Sequence, residues 1–141
     1  EKGHSAGAKL IGAQIETVSH EDAEKLCVPP GATVLEVCRL RLSDGEPVML
    51  EINRFPERYA FLREENAEGS LYEQLRRRGI IPSSAVHDIS LGHATPFVSK
   101  HLNTAQGDAL LLLDEMVFDQ HGEPLHLSRQ WIRGDKFTFR I

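Results

Sequence analysis

The sequence predicts an α+β fold, a mainly antiparallel sheet of about six strands built from one β-α-β-β unit used twice, with helices on one face. Two observations carry this expectation. The chain repeats itself at an offset of about 76 residues. Each copy also holds a turn ending in Gly-Glu-Pro, at Gly45-Glu46-Pro47 and Gly122-Glu123-Pro124, between apolar runs. Strands joined by such short hairpins pair antiparallel.

In the first copy a strand is expected around Leu10 to Thr17, after which Ser19 opens a short helix carrying Ala23 and Leu26. In the second, a strand around Val86 to Leu91 leads to Thr95-Pro96, a hydroxyl cap followed by proline at the first helical position, and a helix carrying Val98 and Leu102. A glycine follows each helix, Gly31 or Gly107. The next apolar runs, Thr33 to Val37 and Ala109 to Leu113, read as strands; Asp44-Gly45 and His121-Gly122 punctuate the hairpins to their return strands. An insertion from Pro56 to about Pro82 separates the copies, and its clearest element is a helix from Ser70 to Arg78. Lys136 to Ile141 alternates Phe137, Phe139 and Ile141 and reads as a last strand.

With 141 residues, 40% of them hydrophobic, the chain holds one domain with a core. Its net charge of −5, with both signs scattered, argues against direct binding to a nucleic-acid backbone, which needs a basic face. The one basic run, Arg76-Arg77-Arg78, closes the expected helix and complements its dipole. Cys27 and Cys38 have no metal-ligand spacing, so neither cofactor nor metal is expected, and the setting reads as reduced and cytoplasmic. His121, His126 and Asp119 match no closed zinc pattern either. No apolar run approaches the roughly 20 residues of a membrane span, and no signal peptide is expected. The chain starts at Glu1 without an initiator methionine and is expected to be a piece of a longer protein.

Arg39 and Arg41 stand two apart on an expected strand and so project from one face, where two guanidiniums repel unless an anion lies between them. Alternation of Arg39, Leu40, Arg41 and Leu42 is equally what a half-buried strand shows when one face meets water. Glu51 joins the arginines if the connection Ser43-Asp44-Gly45 is a three-residue loop; a two-residue Asp-Gly turn would flip it to the other face. Ser70, with Glu73 three residues on, reads as a capping box, and the same helix start offers N–H groups to an anion. No nucleophile elbow or glycine-rich phosphate loop appears.

The stretches Arg39-Leu40-Arg41-Leu42-Ser43-Asp44-Gly45-Glu46-Pro47, Gly69-Ser70-Leu71-Tyr72 and Arg133-Gly134-Asp135-Lys136-Phe137 together resemble the UTRA domain of GntR-superfamily, HutC-type transcription regulators. The likeness runs over nearly the whole chain. It implies a chorismate-lyase-like fold, a homodimer, a small-molecule effector, and a winged helix-turn-helix domain before residue 1 that alone contacts DNA. It also implies that Arg39, Arg41 and Ser70 hold an anionic group such as a sugar phosphate, with Glu51 and Tyr72 facing the rest of the effector. His126 stands where such relatives carry a sugar-contacting glutamate, and Ile132 where they carry a tyrosine. A small-molecule enzyme on the same scaffold is the rival reading, against which the missing acid, base and nucleophile count.

Overall fold

The computed structural model describes residues 6–63 and 71–135. The repeat accounts for its layout. Strand β1 (Ala6–Thr17), helix α1 (His20–Leu26) and strands β2 (Thr33–Ser43) and β3 (Glu46–Pro56) form the first unit. Strand β4 (Pro82–His93), helix α3 (Pro96–Leu102) and strands β5 (Ala109–Asp119) and β6 (Pro124–Ile132) form the second. Between them lie a 3-10 segment, Glu57–Arg63, and helix α2 (Leu71–Arg76). The expected last strand, Lys136 to Ile141, lies outside the described residues, as does Ser70.

All six strands make one antiparallel sheet in the order β1-β2-β3-β6-β5-β4. The two units therefore meet at the central β3–β6 pair, where Ile52 lies opposite Arg129 and Glu51 opposite Gln130. Local chemistry repeats as well. Ser19 Oγ accepts from the Asp22 N–H at 3.1 Å and Thr95 Oγ1 from the Val98 N–H at 3.3 Å, the N-cap bonds expected of both hydroxyls. Both helices end on a residue in the left-handed region, Cys27 (φ 55°) and Asn103 (φ 56°).

The repeat's helices share what we term the back face, and each crosses to the other unit: α1 lies over β6 and α3 over β3. Leu26 and Ala23 bury against Val34, with Met116 and Leu127 beside them; Val98 and Leu102 bury against Leu40 and Leu50. Full burial of a side chain of this size contributes about 1.5–3 kcal/mol. Helices on one face thus describes the repeat, whereas the insertion covers the opposite, front face. There Tyr59, Leu62, Leu71 and Leu75 close over Leu35, Val37, Phe55, Val117 and Leu125. The insertion helix is shorter than expected, ending at Arg76; Arg77 and Arg78 form the turn beyond it, Arg77 pairing with Glu73 at 3.0 Å and Arg78 lying 3.9 Å over the Phe61 ring. Among the described residues no helix is long and apolar enough to cross a membrane.

Candidate functional site

The hairpin between β2 and β3 decides whether Glu51 meets the arginines. Ser43 pairs with Glu46, so the turn is the two-residue Asp44-Gly45 rather than a three-residue loop, with φ of 52° and 77° as a type I′ turn requires. That turn alone would put Glu51 on the wrong face. A bulge at Val48, between the pairs Leu42–Pro47 and Arg41–Met49, adds one residue and reverses the flip. Glu51 consequently lies directly opposite Arg39.

Arg39 and Glu51 are both buried, at 7% exposure, while the Arg41 side chain is half-exposed. Glu51 is the shared counter-ion: Arg39 Nη1 lies 3.5 Å from Oε1 and Arg41 Nη1 lies 3.8 Å from Oε2. These are long contacts for charge-assisted bonds, which run nearer 2.8 Å. Asn53 Nδ2 donates to Glu51 Oε1 at 3.4 Å. The Arg39 Nε, buried, has no hydrogen-bond partner among the described residues. Burial depresses the Arg39 pKa below the ordinary arginine range, against the pull of Glu51 and with the repulsion of Arg41; the guanidinium stays charged at neutral pH.

These side chains line a front-face cavity of about 540 Å³ that lies between the insertion and the open end of the sheet. Gly7 and Ala8 of the edge strand β1 form one wall, the latter beside Arg41. Tyr72 of α2 and His126 of β6 form another, joined by a 2.9 Å hydrogen bond between the Tyr72 hydroxyl and His126 Nε2. Burial pushes His126 down to about 4, so its ring is neutral near pH 7; it stacks on Phe55 at 4.7 Å. Its Nδ1 faces the Leu127 carbonyl at 3.4 Å, which can only accept. The proton therefore sits on Nδ1, and Tyr72 donates to Nε2. Burial, reinforced by Glu115 and Glu51, raises the Tyr72 hydroxyl to about 12.

Of the six residues singled out in the sequence, five meet here: Arg39, Arg41, Glu51, Tyr72 and His126. Ser70 lies outside the described residues, although the adjacent Leu71 lines the cavity. Sequence reasoning missed Asn53, Glu115, Ser128 and Gln130. Strand parity marks Asn53 from Glu51, and Ser128 and Gln130 from His126. Asp119, weighed earlier beside two histidines, accepts the backbone N–H groups of His121 and Glu123 and so builds the turn. Arg133, the first residue of the third sequence signpost, donates to the Leu102 carbonyl at the end of α3 and to Asp135.

A larger cavity of about 610 Å³ opens on the back face between α1 and β4. Its cations are matched already: Arg54 by Glu36 and Asp22, Arg129 by Asp114, Lys25 by Glu21. Among the described residues it has no spare positive charge for an anion, whereas on the front face two arginines share one carboxylate.

The model of the UTRA domain family matches residues 1–138. The chain belongs to the UTRA domain family. This UTRA domain is 33% identical over 140 residues to the HTH-type transcriptional repressor PhnF of Mycolicibacterium smegmatis, a match covering 98% of the chain and 57% of that protein. It is 30% identical over 122 residues to a probable fructoselysine utilization operon transcriptional repressor of Escherichia coli, covering 84% of the chain and 50% of that protein. The crystal structure of the effector domain of PhnF from Mycobacterium smegmatis superposes with a TM-score of 0.93 at 33% identity, over 99% of this chain and 87% of that one. The relatives are transcription regulators, so the domain is a regulator's effector-binding unit and the enzyme reading is set aside. The UTRA domain spans about half the length of the two repressors.

Proposed function

We propose that the cavity binds a small anionic metabolite, a sugar phosphate or similar, and that occupancy modulates DNA binding by a winged helix-turn-helix domain joined upstream of this domain in a cytoplasmic homodimer. The observation that carries the anion is the buried Nε of Arg39, without a partner among the described residues, in a wall where two guanidiniums share one loosely held carboxylate. An unmet buried donor is costly, and a bidentate anion satisfies it. Arg39 and Arg41 clamp the anionic group with Ser70, while Glu51, Tyr72 and His126 meet the remainder of the effector. β1 starts at Ala6, opposite Ser43 and two residues before the Ala8–Arg41 pair, so a domain attached before it joins the fold near the clamp. For the homodimer, the support is the edge strand β4, which exposes Val86, Ile89 and Leu91. Sedimentation should give a dimer that Leu91→Lys weakens.

Isothermal titration with a panel of sugar phosphates and inorganic phosphate tests the clamp. Arg39→Ala and Arg41→Ala should each lose roughly 1.5–3 kcal/mol of binding, one to two decades in affinity. Arg→Lys should also be costly, because an ammonium cannot reproduce the planar fork. Wild-type affinity in both alanine variants would sink the proposal.

A further inference from the structure

The repeat places a second charge in the cavity. A step of about 76 residues carries Arg39 of β2 onto Glu115 of β5, the same strand position with the opposite sign. Register shows that both reach the front face. Arg39 lies opposite Glu51, and Asn53, two residues on, lies opposite Ser128, which in turn lies opposite Glu115. The approximate two-fold relation of the units thus sets Arg39 and Glu115 on two sides of one cavity, whose wall includes both.

Resting on the anion-binding reading above, we propose that Glu115 is the acidic pole of the site and takes a protonated amine at the end of the effector remote from the arginines. The carboxylate is held for that purpose: its Oε2 lies 2.7 Å from His87 Nδ1, and its Oε1 accepts from Gln130 Nε2 at 2.8 Å. Gln130 Nε2 also contacts Ser128 Oγ at 3.1 Å, which fixes the amide. A carboxylate oxygen has two acceptor sites, so each oxygen keeps one for a ligand. The side chain is only 18% exposed, a setting in which a matched charge counts for more than in water.

Between the poles the floor is polar: beyond Glu51, whose charge is taken up by the two arginines, it carries the uncharged Asn53, Ser128, Gln130 and neutral His126. Three inter-strand steps of about 4.8 Å separate the backbones of β2 and β5, and the long side chains narrow that gap. The effector that satisfies both ends carries an anionic head and, several bonds away, an ammonium. Hydroxyl groups between them find partners in the neutral amides. A purely structural Glu115 would bridge β4, β5 and β6 without reading the ligand.

Titration of the wild-type chain with ω-aminoalkyl phosphates of increasing length, each against the alkyl phosphate of equal length, separates the two roles. At the matching length the amine should improve affinity about ten- to a hundredfold, the range of a charge-assisted bond. Glu115→Gln should erase that gain while leaving the alkyl phosphate's affinity unchanged. Three results would overturn the acidic pole and leave the anion clamp standing: no amine preference in the wild type, a preference that survives in Glu115→Gln, or equal weakening of both probes by it. If no phosphate binds the wild-type chain, the anion reading fails and the acidic pole fails with it.

Discussion

β2 and β5 hold equivalent places in the two units, yet their burial runs in opposite directions. Leu35 and Val37, early in β2, are fully covered, and Arg41 near its end is exposed. Their counterparts Leu111 and Leu113, early in β5, are only half-buried, whereas Val117 near its end is buried. The antiparallel β3–β6 centre explains the reversal, since it brings the start of β2 and the end of β5 to the same end of the front face. Among the described residues, the insertion covers that end alone. One asymmetric insertion on a two-fold sheet therefore makes one end a core and leaves the other open, and the cavity forms at the boundary.

The largest expected effect tests this contrast directly. Leu35→Ala should cost about 2–5 kcal/mol, as for a fully buried leucine under a packed cover. Its counterpart Leu111→Ala should cost about 1 kcal/mol or less, because that position is only half-buried and no insertion residue among those described covers it. Urea denaturation of the two variants measures the difference. Equal losses would mean that the open end is covered in solution, as the proposed homodimer would do, and dilution would then separate the two costs.

A second effect belongs to the covered end. His126 titrates at about 4 in the folded chain, against an ordinary value of 6.5, because burial disfavours the charged ring. The unfolded chain therefore takes up the proton first. The stability from a neutral His126 is complete above pH 6.5 and is lost as the pH falls from 6.5 towards 4, by roughly 3 kcal/mol at most. His126→Gln should flatten the pH dependence of the urea midpoint in that window by about one proton. An unchanged slope would place the ring in a wetter environment than its contact with Phe55 implies.

Much of the fold was legible because it is written in short-range chemistry. Ser19, Thr95-Pro96, Gly31, Gly107 and the two Gly-Glu-Pro turns each set a local conformation, and duplication doubled the signal. What stayed hidden depends on register between distant segments. The bulge at Val48 cannot be read from Asp44-Gly45, so the side on which Glu51 lies was open until the strand pairing was known. The β3–β6 pairing joins the two units across the insertion, and only that pairing brings Ser128, Gln130 and Glu115 to the arginines of β2. Parity identifies neighbours within a strand but carries no information across that seam.

The smallest effect compares the units where they agree most closely, at the helix ends. Cys27 and Asn103 take nearly the same left-handed conformation, with ψ of 43° and 46°. The cost differs with the side chain. A Cβ normally disfavours this region by about 1–2 kcal/mol, but asparagine visits it readily because its short amide bonds locally. Glycine removes the steric penalty and adds back some flexibility in the unfolded chain. Cys27→Gly should therefore raise stability by about 0.5–1 kcal/mol, while Asn103→Gly should change it by only a few tenths of that scale. Cys27→Ala serves as control, since it deletes an exposed thiol and keeps the Cβ, and should leave the urea midpoint unmoved. Under reducing conditions, a gain in Cys27→Ala equal to that in Cys27→Gly would assign the effect to the sulfur and not to the backbone, and the parallel between the two caps would fail at this position.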